Sequence, residues 1–179
     1  SRVVKSSPPS TKTIFATGAR IPEECREVFL PISQTYGRVL TGSGVKLAGI
    51  SNLVSGYRIS RTRADFHLLL YTQSGTGRLT APDSNHALTA GSLLIAPVQS
   101  TYSYFTDGES WDIVWFHLAD APRWENLRNS KTHVRPSIDV HRSIPMMAAL
   151  VEESLGEGLE SVRLADLLSE VILLHIERE

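Results

Sequence analysis

The sequence predicts a mainly β domain, a small barrel or sandwich, with helices at its C-terminal end. Three observations carry that prediction. Across residues 45–118, short apolar segments alternate with clusters of Gly, Pro, Asn, Asp and Ser at near-regular intervals. After Pro122 the apolar residues recur with a helical period instead. The 179 residues, 41% hydrophobic and 21% charged, are enough to bury one real core.

Taken in order, the chain opens with residues 1–10, where Ser, Pro, Lys and Arg surround no apolar run. This is expected to be a flexible arm rather than a signal peptide, and it extends to about Gly18. Ile14 and Phe15 are apolar exceptions within it. Residues 20–30 are expected to hold a short helix. Pro22 suits a first helical turn, Glu23 and Glu24 complement the helix dipole, and Pro31 would end it. Strands are expected at 45–50, 57–61, 66–73, 77–81, 86–88, 92–96, 102–105 and 113–118, with turns at Gly56, 82–85, 90–91 and 106–108. Ser74-Gly75-Thr76-Gly77 is expected to be a hairpin turn. A first C-terminal helix spans 144–155, and Gly156 and Gly158 break it. From residue 159 onward Leu164, Leu167, Leu168, Val171, Leu174 and His175 share one stripe against an acidic face, giving a helical hairpin. The expected layout is therefore arm and short helix over 1–44, barrel over 45–121 and helices over 122–179.

Composition narrows the function. Eighteen basic residues against nineteen acidic ones leave a formal charge of -1, and the basic side chains are scattered. A chain that binds nucleic acid by itself usually carries a basic face, so a small molecule or another protein chain is the expected partner. Cys25 is the single cysteine, which leaves no intramolecular disulfide or cysteine metal cluster and fits a reducing cytoplasm. No apolar run is long enough to span a bilayer.

The most informative short stretch is Gly91-Ser92-Leu93-Leu94-Ile95-Ala96-Pro97, a glycine turn, an apolar strand and a terminating proline. Alone it is a generic β element. The glycine-rich segment before it and the strand with Trp111, Trp115 and Phe116 after it give an order that resembles a cupin barrel. Metal-dependent cupins place His-x-His and a Glu on the first motif and a further His after the second. Here Leu68 and Leu69 follow His67, and no histidine follows Pro97 closely. A transition metal needs three or four converging donors, which the six histidines do not supply at suitable spacing, so no metal or other cofactor is expected. The sequence also lacks a nucleophile elbow, a phosphate loop and a dinucleotide fingerprint.

Several stretches in order, 47–51, 66–77, 91–97, 111–124 and 156–179, together resemble the N-terminal domain of the AraC family of bacterial transcription regulators. The resemblance implies a cupin-like barrel enclosing an effector, followed by helices that pair in a homodimer. It also implies a DNA-binding domain with two helix-turn-helix units beyond Glu179, through which alone DNA would be contacted. The family's ligand-stacking tryptophan falls on Trp115 and its small hydroxyl on Ser51. Its pocket arginine falls on Arg61, with Arg58 and Arg63 as alternatives across a gap. A sugar-binding histidine is replaced by Ile113 and a tyrosine falls near Ser103, which argues against L-arabinose as the ligand. Strand alternation places Trp111, Ile113, Trp115 and His117 on one face, so His117 joins the candidate site. In arabinose-type regulators the arm folds over the effector; here Ile14 and Phe15 would cap a filled pocket. Leu164, Leu167, Val171, Leu174 and Arg178 are the expected dimer contacts.

Each assignment has a structural alternative. Trp115 and His117 also suit a packed core, an exposed strand arginine is commonplace, the arm also suits an untethered tail, and the helical stripe also suits packing on the barrel. The expected function is ligand sensing without catalysis, with a small polar effector, a carbohydrate among the candidates. Two alternatives stand beside it. One is a stand-alone cupin sugar isomerase or epimerase using His67, His117 and Tyr102 as acid–base groups. The other is a dimerisation module with a filled barrel.

Overall fold

The structure, a computed structural model, describes residues 16–30, 32 and 35–179. Its strands are β1 (Ala16–Arg20), β2 (Arg26–Phe29), β3 (Val45–Val54), β4 (Arg58–Arg61), β5 (His67–Ala81), β6 (Ser84–Thr89), β7 (Ser92–Ala96), β8 (Tyr102–Leu118) and β9 (His133–Pro136). The helices are α1 (Arg38–Gly42), α2 (Glu125–Arg128) after a short 3-10 turn at Pro122–Trp124, α3 (Val140–Ser154) and α4 (Leu159–Glu177).

Two long strands organise the sheet. β5 and β8 pair antiparallel along most of their length, from His67 opposite Leu118 to Thr80 opposite Ser103. Their two halves have different neighbours. The half of β8 ending at Leu118 pairs with β3, which pairs with β2, and the matching half of β5 pairs with β7, which pairs with β9. The other half of β8 pairs with β4, which pairs with β1, and the other half of β5 pairs with β6. The register of the β5–β8 ladder shifts between Thr72 and Ser74 and again between Gly75 and Gly77. Such bulges bend a strand and increase its twist, so the sheet turns upon itself.

Here the structure corrects the sequence reading. Ser74-Gly75-Thr76-Gly77 is not a hairpin turn, and residues 106–108 do not separate two strands; each lies inside one continuous strand. Glycine is needed at Gly75 and Gly77 for close approach. A Cβ on Gly75 would sit 2.1 Å from the Ser110 carbonyl oxygen, and one on Gly77 would sit 2.3 Å from the Trp111 ring. The helix expected over 20–30 is also absent. Arg20 ends β1, the Cys25 N–H donates to the Pro22 carbonyl in a tight turn, and Arg26 to Phe29 pair with Asn52 to Gly49. Strand pairing supplies partners that a solitary helical turn would have left to water, so tertiary structure overrides the local cues. With β1, β2 and β9 in place, the sheet reaches beyond residues 45–121 at both ends. The first C-terminal helix begins earlier than expected, at Val140, with Pro145 inside it, whereas α4 follows the expectation closely.

The period-2 alternation of β8 divides the apolar residues into two cores. Trp111, Ile113 and Trp115 face the barrel interior and meet Leu53, Ile59, Phe66, Leu68, Leu70, Leu79, Leu88 and Tyr104 from both halves of the sheet. Val114, Phe116 and Leu118 face outward and pack with Leu69, Tyr71, Leu93 and Ile95 against Met147, Leu150, Ile172, Leu173 and Ile176 of α3 and α4. The chain is thus a cupin-like barrel with the helical hairpin laid on one outer face.

Candidate functional site

The barrel interior, though largely apolar, contains a line of aromatic and polar groups drawn from four strands. Trp115 on β8 donates its indole N–H to the Ser51 hydroxyl on β3 at 2.8 Å. Ser51 in turn donates to Glu27 Oε1 on β2 at 3.0 Å. Phe29 meets the indole edge-on with centroids 5.6 Å apart. His117, one inward position further along β8, lies 4.9 Å from the Trp115 ring and stacks on Phe66 at 3.9 Å. On Phe66 the guanidinium carbon of Arg61 approaches the ring centroid to 5.1 Å. The sequence Arg61–Phe66–His117–Trp115 is therefore continuous through ring contacts.

Electrostatics follow from burial. The His117 imidazole is pushed well below its ordinary value, first by desolvation and then by the positive charges of Arg61 and Lys46, so it is neutral at physiological pH. Burial raises the Glu27 carboxyl, while its hydrogen bond from Ser51 and the charge on Arg61 pull the other way. Burial also raises the phenols of Tyr57 and Tyr102, which stay protonated and able to donate. Arg61 remains a cation in any protein environment. Its Nε and Nη1, the Tyr102 hydroxyl and Thr106 Oγ1 are all buried without a hydrogen-bond partner.

The structure brings four of the sequence-predicted residues together in the interior, namely Trp115, Ser51, Arg61 and His117. Of the three arginines left open, Arg61 is the one turned inward. Arg58 is exposed over the Phe105 ring at 4.3 Å, and Arg63 is exposed and donates to Gln99 at 3.3 Å. Ile113 lies on the same inward face but is 1% exposed and contributes only apolar surface. Ser103 has the opposite parity to Tyr102 and Tyr104. It meets Ser60 Oγ at 2.6 Å on the outer face and does not join the interior group, a correction to its expected place. Phe15 and Ile14 lie outside the described residues. His67 also faces away from the interior. Its Nδ1 accepts the Val98 N–H at 3.0 Å, its Nε2 lies 3.7 Å from Asp120, and burial lowers its pKa. Among the described residues no group of three or more His, Cys, Asp or Glu is arranged to hold a metal ion.

Sequence reasoning missed Glu27 and did not connect Tyr102 with Arg61. Glu27 was hidden inside an expected helix; reading Arg26 to Phe29 as a strand would have turned Glu27 and Phe29 to the same side. Tyr102 and Arg61 are direct cross-strand partners, a relation that appears only once the β4–β8 register is known.

On α4, Ala165, Ser169, Ile172, Leu173 and Ile176 face the body of the domain, while Leu164, Leu167, Val171 and Leu174 are 46%, 57%, 37% and 60% exposed. Arg178 is differently engaged. It grips the buried Asp139 at the start of α3 through Nε at 2.7 Å and Nη2 at 2.5 Å, and this bond holds the Asp139 carboxyl below its usual range. Glu179 accepts hydrogen bonds from Ser137 Oγ and from the Ile138 and Asp139 N–H groups, so the end of α4 is fastened to the start of α3. Outside the barrel, a cavity of about 520 Å³ lies between Leu69, Ile95, Trp124, Leu127 and Ile176, with Arg135 among its polar lining.

An aromatic-lined barrel with a short polar line inside it defines a ligand-binding domain of the cupin-like class. The family model described as the AraC-like ligand binding domain matches residues 44–176, and the chain belongs to that family. Among solved structures, the chain is similar to the YlbA protein from E. coli, with 17% identity and a TM-score of 0.49 over 64% of this chain and 45% of that one. It is also similar to a cupin superfamily protein from Desulfitobacterium hafniense, with 17% identity and a TM-score of 0.45 over 67% of this chain and all, 100%, of that one. A transcriptional regulator from Vibrio cholerae aligns at 10% identity and a TM-score of 0.45, over 60% of this chain and 58% of that one. Comparison with curated proteins gave no significant match. No helix among the described residues is long and apolar enough to cross a membrane.

Proposed function

We propose that this chain is the effector-sensing and dimerising part of a bacterial transcription regulator, working in the cytoplasm by binding rather than by catalysis. In this reading a small polar molecule enters the barrel, and its occupancy is signalled through the helices to a DNA-binding domain. Trp115, Ser51, Arg61 and His117 are its binding residues. The observation that carries the reading is the set of buried donors on Arg61 and Tyr102 that find no partner inside the protein. A self-contained core pays heavily for such groups, whereas a ligand that accepts their hydrogen bonds removes the penalty.

Two further observations support binding over the alternatives. The acid–base trio that a sugar isomerase would use is split, because His67 faces away from the interior that His117 and Tyr102 share. A barrel serving only as a packed spacer has no use for a buried guanidinium whose Nε and Nη1 find no partner. The exposed leucine stripe on α4 supports pairing with a second copy, since a two-fold axis would set this apolar patch against itself. The test is thermal shift of the chain against sugars, sugar acids and small aromatic compounds. A compound that raises the melting temperature of the wild type but not of Trp115→Ala supports the reading. A chain that answers to nothing in such a panel, and is monomeric, overturns it.

A further inference from the structure

The polar groups inside the barrel fall into two sets with different needs. The Trp115–Ser51–Glu27 set is closed: the indole donates to the hydroxyl and the hydroxyl donates to the carboxylate. The Arg61–Tyr102 set is open. These residues stand directly opposite each other on β4 and β8, both point inward, and they are only 7% and 3% exposed. Arg61 Nε and Nη1 and the Tyr102 hydroxyl have no hydrogen-bond partner. No acid of the described residues pairs with this guanidinium; Glu27, the acid that senses its charge, is committed to Ser51.

From this we infer that Arg61 and Tyr102 form an anion subsite, and that the effector is a monocarboxylate with a flat apolar body. The inference rests on the barrel being the effector site and specifies what fills it. One argument is charge. A guanidinium withdrawn from water needs a counter-charge, and neutral sugar hydroxyls would satisfy its hydrogen bonds but leave the charge uncompensated. A second argument fixes the valence. Among the described residues Arg61 is the one cation directed into the interior cluster, since Lys46 pairs with Asp65 at the surface and His117 is neutral. A dianion such as phosphate would bring two negative charges toward Glu27 against the single charge of Arg61, whereas a carboxylate brings only one. The third argument is shape. Next to Arg61 come the stacked rings of Phe66 and His117 and then the Trp115 indole, surfaces that suit an aromatic or similarly planar body. A phenol donating beside a guanidinium completes a two-sided cradle for a carboxylate oxygen pair.

The experiment is calorimetric titration of the full chain with benzoate, 4-hydroxybenzoate and phenylacetate, each beside its primary amide, together with L-arabinose, D-glucose and inorganic phosphate. The amide keeps the shape and loses the charge, so the comparison needs no altered protein. The expected result is that at least one carboxylate binds roughly 10- to 100-fold more tightly than its amide, the range of a charge-assisted hydrogen-bond pair. Tyr102→Phe should weaken that carboxylate about tenfold while leaving the melting temperature of the free chain close to wild type. Arg61→Gln should abolish the preference for acid over amide; if that variant does not fold, the amide comparison and Tyr102→Phe still decide. Binding of a sugar or an amide as tight as that of any acid overturns the carboxylate assignment and leaves the effector reading standing. Preference for phosphate refutes the monoanion argument. Binding by no member of the panel overturns the carboxylate assignment, while the effector reading is decided separately by the wider thermal-shift panel and the oligomeric state.

Discussion

Gly49 offers the sharpest quantitative test of how the site is built. It faces Trp115 across the β3–β8 ladder, and a Cβ placed there would lie 2.6 Å from Cζ2 and 2.9 Å from Cε2 of the indole, and 3.0 Å from the Val28 carbonyl oxygen. Ordinary carbon contacts begin near ~3.5 Å, so Gly49→Ala drives the new methyl about 1 Å into the ring. The ring has little room to yield: Phe29 closes on its edge, His117 lies beyond it, and its N–H is held by Ser51. Overpacking of this kind costs about 1–3 kcal/mol, and loss of the Trp115–Ser51 bond adds about 1 kcal/mol. At about 2–4 °C per kcal/mol for a chain of this length, the melting temperature should fall by roughly 5–15 °C. Gly42→Ala is the control, because a Cβ there meets nothing within 4 Å. Differential scanning calorimetry of both variants, with near-ultraviolet circular dichroism to follow the tryptophan environment, makes the measurement. If Gly49→Ala melts within 2 °C of Gly42→Ala, the tight seating of Trp115 on β3 is wrong.

Three other outcomes are expected. Ser51→Ala strands both the Trp115 N–H and the Glu27 carboxylate, so the urea midpoint should move by the equivalent of about 1–3 kcal/mol; a change below about 0.5 kcal/mol would falsify the relay. His117 is held neutral in the folded chain and protonates more readily when unfolded, so its contribution is complete above the unfolded value of 6.5 and is lost as pH falls below it. Between pH 6.5 and its depressed folded value this one group should remove up to about 1.4 kcal/mol per pH unit, and His117→Leu should flatten that part of the stability profile. On α4, Leu167→Glu with Leu174→Glu should turn a dimer into a monomer by light scattering, without lowering the melting temperature of the barrel at equal protein concentration more than dissociation itself does. A wild-type chain that is monomeric at high micromolar concentration would end the pairing proposal.

The fold class was legible because its signals are periodic. Alternation along residues 111–118 separated inward Trp111, Ile113, Trp115 and His117 from outward Val114 and Phe116, and the helical spacing after residue 159 recurs in α4. The errors arose where one local chemistry serves two structures. Pro22-Glu23-Glu24 suits the first turn of a helix, yet the same residues make the turn that delivers β2 to β3. Gly75 and Gly77 suit a hairpin, yet they are glycine because Ser110 and Trp111 cross them closely. The candidate site was half legible for a related reason. Trp115, Ser51 and His117 could be placed by parity and resemblance, but Glu27 and the Arg61–Tyr102 pairing depend on which strands become neighbours. That is a long-range property which residue spacing does not encode.

β8 has a consequence for anyone who would change what this barrel recognises. Its inward side chains at 115 and 117 touch the interior rings, while those at 114, 116 and 118, one peptide away, are packed beneath α3 and α4. Exchanging the strand wholesale for that of a relative would replace the lock and its mounting at once. A graft confined to positions 111, 113, 115 and 117 would alter the lining and leave the foundation of the helices untouched. The strand thus behaves as a two-sided printed circuit, and only one side is open to rewiring.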